Sequence, residues 1–494
     1  MFRKNVLNAS IVAALSIAVV ACDDSTTLST DSGAVIGAGN GAGNGVADGD
    51  PNAAAIRVIH ASPDAPAVNV SLNGGEAISA LGYGESSGFA TLEAGEYDVA
   101  VDGILPGGTA TVITVDDLNL AAGSQTTVVA VGNVADIGPL VVADSAATPA
   151  ADQISLTVTH AAPGAPTVEL YLLAPDAPVD LSTPGAAVAF KDSLDLGALT
   201  AGEVRIIAAA GGAVAFDSGV IDLEPFAGAA LSVFAIESDS FSEQAGSPIK
   251  LLVGTGDATI TLRNANTQTA ARVVHLSPDA RAAAHGPVEV WATGTDSGQS
   301  AELIDAFSYT DVVPSADSYV TVPAGGYRFD VAPDTDTIGD SIFTSPDLDL
   351  AAGSDYSVIA VGRVTNTDPA NAFRLIAFED ENRSIATQAS LRVVHGAPAA
   401  GEVQVYVSAA GAVNAHDLGS IDPVLSNFAF GDVTDALALA PGSYDVRVVA
   451  GGAVAINAEG VELAAGSAST AIARGPIEGV HAAPQDFGLV LLSR

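Results

Sequence analysis

Five histidines each stand three residues ahead of a proline, at His60/Pro63, His160/Pro163, His275/Pro278, His395/Pro398 and His481/Pro484. An imidazole repeated in one setting can ligate a metal or move a proton near neutral pH. It can also stand at a strand end, where a ring nitrogen holds the turn that leads to the proline. The turn is the favoured reading, because a metal needs several converging ligands and each phrase supplies one histidine. Asp64 and Asp279 follow the proline in two copies, whereas Gly164 and Ala399 take that place in two others. His285 and His416 fall outside the repeat and read as loop residues.

Oxygen chemistry has one candidate, a calcium site at Asp334, Asp336 and Asp340 within PDTDTIGD. Carboxylates spaced by two around a glycine-bearing turn suit a hard cation, although the full EF-hand spacing with its terminal glutamate is missing. Asp116/Asp117 and Glu379/Asp380/Glu381 are similar clusters that read as solvated loops. Three strings mimic catalytic motifs: Gly84-Glu85-Ser86-Ser87-Gly88, Ser247-Pro248-Ile249-Lys250 and Gly339-Asp340-Ser341. The nucleophile elbow needs a strand-to-helix turn, and the first string lies between two strands. The second needs a helix that Pro248 disfavours. No catalytic residue and no cofactor other than the possible calcium is therefore expected, and the protein reads as no enzyme.

The elements that carry these residues are short β-type runs with turn signals every 8 to 12 residues, and no convincing amphipathic helix accompanies them. In the first copy they are AIRVIH, VNVSL, GFATL, EYDVAVDG, TVITVDDLNL, TTVVAVG and PLVVA. Several alternate apolar with polar residues, the pattern of a strand with one buried and one wet face. Three landmarks recur in register: the histidine phrase, a glycine-opened strand such as LEAGEYDVAV, and a strand such as LNLAAGSQTTVVAVG. They predict an all-β chain of four tandem immunoglobulin-like antiparallel β-sandwich domains, at 54–148, 152–263, 268–386 and 389–494. His481 follows the third landmark of the last domain and opens no fifth one. Domains one and three share SPDA, domains two and four share AGGAVA. That alternation predicts a duplicated two-domain unit in which one meets two as three meets four.

The amino terminus sets the compartment. Arg3 and Lys4 precede an apolar stretch that ends in Val19-Val20-Ala21-Cys22, and Cys22 is the one cysteine of the chain. The stretch is short for a membrane span and reads as a signal peptide, 1–21. It resembles bacterial lipoprotein signals, which implies cleavage before Cys22 and acylation of that residue, an anchor of more than one acyl chain. Residues 22–53 read as a lipidated amino terminus and a flexible tether rich in Gly, Asn, Ser, Thr and Asp. Asp23 and Asp24 leave the membrane open; the outer membrane or cell surface is favoured over the inner membrane. The net charge is −41, with 17 basic against 58 acidic residues. Loss of Arg3 and Lys4 makes the mature chain two units more negative. Such a chain repels nucleic acid.

The landmarks RVIHASPDAPAVNVSLNG at 57–74, an AGxY strand and an LAAGS strand together resemble the bacterial domain of unknown function 4397 family. The resemblance runs over about 54–494 and is most specific in domains one and three. It implies a secreted or envelope β-sandwich used in tandem, with no known activity or ligand. Two functions remain. One is a structural or adhesive cell-envelope lipoprotein with cell-surface, matrix or protein partners. The other is a carbohydrate or small-ligand binding module of a polymer-handling system. Sugar sites favour exposed aromatic platforms. With one tryptophan, Trp291, placed in a β-run, and nine tyrosines, the sequence favours the first.

Overall fold

The computed structural model describes residues 52–494 except 145–147, 256–258, 336, 367, 415–416 and 480–485. The signal peptide, Cys22, nearly all of the tether, Asp336, His416 and His481 thus lie outside the described residues. Eight small sheets pair into four sandwich-like domains. The first domain has eight strands: β1 Ala53–His60, β2 Val68–Leu72, β3 Gly75–Leu81, β4 Ala90–Glu93, β5 Gly95–Leu105, β6 Gly108–Leu120, β7 Gln125–Val131 and β8 Gly138–Asp144. One sheet has the order β4-β1-β7-β8 and the other β3-β2-β5-β6. Ile56 and Val58 of β1 meet Val68 and Val70 of β2, Val99 and Val101 of β5 and Val128 of β7 between the layers.

This arrangement corrects the antiparallel expectation. The histidine strand β1 runs parallel to β7, from Ala55 opposite Gln125 to His60 opposite Ala130. The same parallel pair recurs as Gln153–His160 with Ala230–Glu237, Thr269–Leu276 with Asp355–Val361, and Ala389–His395 with Ala468–Arg474. An antiparallel pair can close through a short hairpin, whereas a parallel pair needs a long crossover; here β2, β3, β5 and β6 visit the opposite sheet before β7 returns. The immunoglobulin order also fails, because it keeps the first two strands in one sheet, whereas β1 and β2 lie in different ones.

The hairpins follow their turn residues. Asn73 and Gly74 join β2 to β3 at φ 49° and 77°. Two successive positive φ values make a type I′ turn, whose twist matches the strands it joins. AGGAVA is the same device in domains two and four, with Gly211-Gly212 at 59° and 80° and Gly451-Gly452 at 56° and 82°.

A second correction concerns the wet faces. Every residue of β1 and of β7 is buried. The face turned away from the core of domain one packs on the equivalent face of domain two: Ile59, Ala61, Val129 and Val131 meet Ala161, Phe234, Ile236 and Leu252. Domains three and four do likewise, with Val274, Leu276, Ile359 and Val361 against Val394, Ile472 and Leu492. A strand buried on both faces reads as a nearly continuous apolar run, and VVAV of β7 is such a run. The duplicated two-domain unit therefore has its structural counterpart.

Candidate functional site

The histidine phrase is built the same way four times. In each domain an N–H donates to the carbonyl of the histidine: Gly84 to His60 at 2.8 Å, Lys191 to His160 at 2.8 Å, Thr310 to His275 at 2.7 Å and Gly431 to His395 at 2.8 Å. The preceding residue is always aromatic. Tyr83, Phe190, Tyr309 and Phe430 stand edge-on to their histidines with centroids 6.0, 6.1, 6.3 and 6.2 Å away. The N–H two residues on donates to Nδ1: Ser62 at 3.3 Å, Ala162 at 3.3 Å, Ser277 at 3.2 Å and Ala397 at 3.3 Å. In three copies Nε2 meets a carbonyl beyond the turn, Pro66 at 2.8 Å, Pro166 at 3.1 Å and Gly401 at 2.8 Å. A neutral ring with an N–H at Nε2 meets both demands and leaves no lone pair for a metal. Burial pushes His60 and His275 down to about 4 and also lowers His395. These histidines hold turns.

The other sequence candidates are not brought together. Among the described residues no group of three His, Cys, Asp or Glu side chains is placed to hold a metal ion. Asp340 accepts from the Thr335 hydroxyl at 3.5 Å, and the Asp334 N–H donates to the Pro287 carbonyl at 3.3 Å. Ser87 of the elbow-like string donates its N–H to the Val58 carbonyl at 2.9 Å, so the string continues the sheet. Ser247 gives its hydroxyl to the Ile249 carbonyl, whereas Lys250 pairs with Asp239 and Glu243. His285 sits in a loop at φ 57°. Trp291 is half-buried on its strand and donates its indole N–H to Glu289 at 2.9 Å.

The charged side chains converge at the junctions between domains. Arg57, fully buried in β1, donates to the Thr127 hydroxyl at 2.6 Å and pairs with Asp144 at 3.0 Å. Ser232 of domain two donates to the same Asp144, and a Cβ on Gly254 would lie 2.3 Å from the guanidinium. Register makes Arg272, Ser357 and Asp380 the counterparts of Arg57, Thr127 and Asp144. Arg272 donates to the Ser357 hydroxyl at 2.8 Å and stands 3.4 Å from Asp380. Asp380 is thus buried in an ion pair and not solvated as its acidic cluster implied; burial raises its carboxyl despite Arg272. The arginines stand three residues before their histidines, a repeated basic residue in a chain that has few. That signal is legible in the sequence.

The two units meet at a second junction. Arg383, between domains three and four, donates to the Ala65 carbonyl at 2.5 Å and the Pro63 carbonyl at 3.1 Å, both in the first histidine phrase. Its guanidinium lies 5.3 Å from the Tyr83 ring centroid. Asp355 accepts from the N–H groups of Phe241 and Ser242 at 2.6 and 2.9 Å and from Asn382 at 2.7 Å. Phe241 opens a short helix, Phe241–Gly246, that the Ser240 side chain caps by accepting from the Glu243 N–H. Beside it a polar cleft of about 550 Å³ is bounded by Lys250, Arg263, Arg383 and Arg392 together with Asp239, Asp380 and Glu381. The contacts of Arg383 with the first histidine phrase and of Asp355 with Phe241 and Ser242 were not legible, because those partners are 100 or more residues apart.

The landmarks carry the family. Residues 54–171 and 272–406, together just over half of the chain, match the family described as Domain of unknown function (DUF4397). The chain belongs to that family. No curated protein matches it. Among solved structures, ligand-free PulA from Klebsiella pneumoniae is 13% identical over 64% of this chain and 32% of its own, with a TM-score of 0.16. The Bacillus anthracis TIE protein is 10% identical over 83% of this chain and 66% of its own, with a TM-score of 0.13. Two B repeat units of the collagen binding protein of Staphylococcus aureus are 10% identical over 90% and 99%, with a TM-score of 0.12. The chain spans about a third of the first of these and 66% of the second. At such scores the likenesses bear on neither fold nor activity, and the DUF4397 family brings no activity with it.

Proposed function

We propose that this protein is a non-enzymatic cell-envelope lipoprotein, anchored through acyl chains on Cys22, whose four immunoglobulin-sized sandwiches act together as a structural or adhesive body at the cell surface. What supports this reading is where the repeated polar residues go. The histidines hold turns, and the buried Arg57–Asp144 and Arg272–Asp380 pairs each accept or donate a further bond across a domain boundary, from Ser232 and to the Ser493 carbonyl. Chemistry-bearing side chains spent on fastening sandwiches together fit a protein whose task is to be a rigid, acidic object on a tether. The partners it would meet are matrix, cell-surface or protein surfaces and not nucleic acid, given the net charge of −41.

The test is anchoring. Wild type grown with labelled palmitate is expected in the membrane fraction, carrying label, and open to protease added to whole cells. Cys22→Ser is expected in the soluble fraction without label. A Cys22→Ser chain that stays in the membrane would sink the anchor, and full protection of the wild type in whole cells would sink the surface placement.

A further inference from the structure

Lys250, singled out by sequence only within a Ser-x-x-Lys string, carries its amine into a different setting. It lies on Ile249–Gly254, the strand next to Ala230–Glu237, and its side chain is 10% exposed. The amine contacts the Asp239 carboxylate directly. It also donates to Glu243 at 2.9 Å, a side chain only 3% exposed. The Asp239 N–H donates at 3.3 Å to the same Glu243 oxygen that accepts from Lys250. Arg263 holds the far oxygen of Glu243 at 2.6 Å. An amine, the carboxylate it would attack and a second carboxylate able to take up a proton are thereby held at one place.

From this arrangement we propose that Lys250 and Asp239 condense to an intramolecular isopeptide bond, with Glu243 moving the protons. The ammonium of Lys250 gives one proton to Glu243, and the free amine attacks the Asp239 carboxyl carbon. Glu243 returns that proton to the departing oxygen, a second amine proton follows, and one water leaves as the C–N bond replaces the C–O bond. Ammonium plus carboxylate give amide plus water, so no oxidant, reductant or activated co-reactant takes part. Holding nucleophile and electrophile in contact supplies the entropy that a bimolecular condensation lacks. The product is neutral, which removes the desolvation cost of a buried ion pair and leaves Arg263 and Glu243 as a pair of their own. Phe241 and Ser242, which bind Asp355, lie inside the closed loop, so the bond would brace the junction between the two units.

Peptide mapping of the full folded chain decides it. Trypsin cuts after Arg205, Lys250 and Arg263, and an amide on Lys250 blocks the middle cut. The expected product is one peptide, 206–263, lighter by about 18 Da than its sequence mass, the loss of one water. Lys250→Arg, Asp239→Ala and Glu243→Gln should each keep the full mass; Lys250→Arg and Glu243→Gln retain the charge or shape of the site and serve as the folded controls, checked by circular dichroism. Wild-type peptides 206–250 and 251–263 released separately at full mass would overturn the proposal. So would a water loss that maps to other residues.

Discussion

Acid should loosen this protein through its histidines, and the size of the effect follows from their burial. His60 and His275 have folded values of about 4, lowered by burial, against 6.5 in an unfolded chain. Between those limits the unfolded state binds more protons, so stability rises with pH across the window. The contribution is complete above about pH 6.5, falls away towards pH 4, and changes no further below it. At about pH 4.5 the unfolded ring is almost fully charged and the folded one about a quarter charged, which removes about 2–3 kcal/mol per histidine. Many carboxylates titrate in the same range, so the test is a difference. His60→Gln should destabilise the protein in urea at pH 7, and that penalty should shrink by about 2–3 kcal/mol at pH 4.5, where wild type has already lost the term. Imidazole proton resonances report the cause directly. Resonances of His60 and His275 that titrate near 6.5 in the folded protein would refute the reasoning, as would a penalty that does not change with pH.

Three further outcomes follow from the interfaces. Phe234→Ala removes a fully buried ring between domains one and two and should cost about 3–5 kcal/mol, read from urea unfolding. Tyr83 and Tyr309 donate their hydroxyls at 2.7 Å to the equivalent carbonyls of Glu237 and Gly475. Tyr83→Phe and Tyr309→Phe should therefore cost a similar amount, about 1 kcal/mol each; a clearly unequal pair would argue against the duplicated unit. Arg57→Met strands Asp144 without its cation and should cost about 3–5 kcal/mol, with much of it recovered in the double variant Arg57→Met/Asp144→Leu.

The histidine phrase shows how far sequence reading reached. Its turn role was legible because one imidazole per domain, with changing neighbours, cannot assemble a metal site. Its second partner was legible only as a short pattern, an aromatic two residues before an acid in Tyr83-Gly84-Glu85, Phe190-Lys191-Asp192, Tyr309-Thr310-Asp311 and Phe430-Gly431-Asp432, which the bond to the histidine carbonyl aligns. Asp380 misled for a related reason. A run of Glu-Asp-Glu has the composition of a wet loop, and its pairing with Arg272 depends on which strand lies beside it.

By itself the sequence determined what is local and periodic: short strands, I′ hairpins at Asn73-Gly74 and the double glycines, four repeats, their alternation, and the family they mark. Those follow from side-chain alternation and from backbone conformations that few residues accept. Tertiary structure alone decided the parallel pairing of the histidine strand, the burial of its outer face against the next domain, and the meeting of Arg383 with Pro63 and of Lys250 with Asp239 and Glu243. Each of these joins segments across a reversal of the chain or a domain boundary. A strand's own residues record how buried its faces are, but not which neighbour buries them.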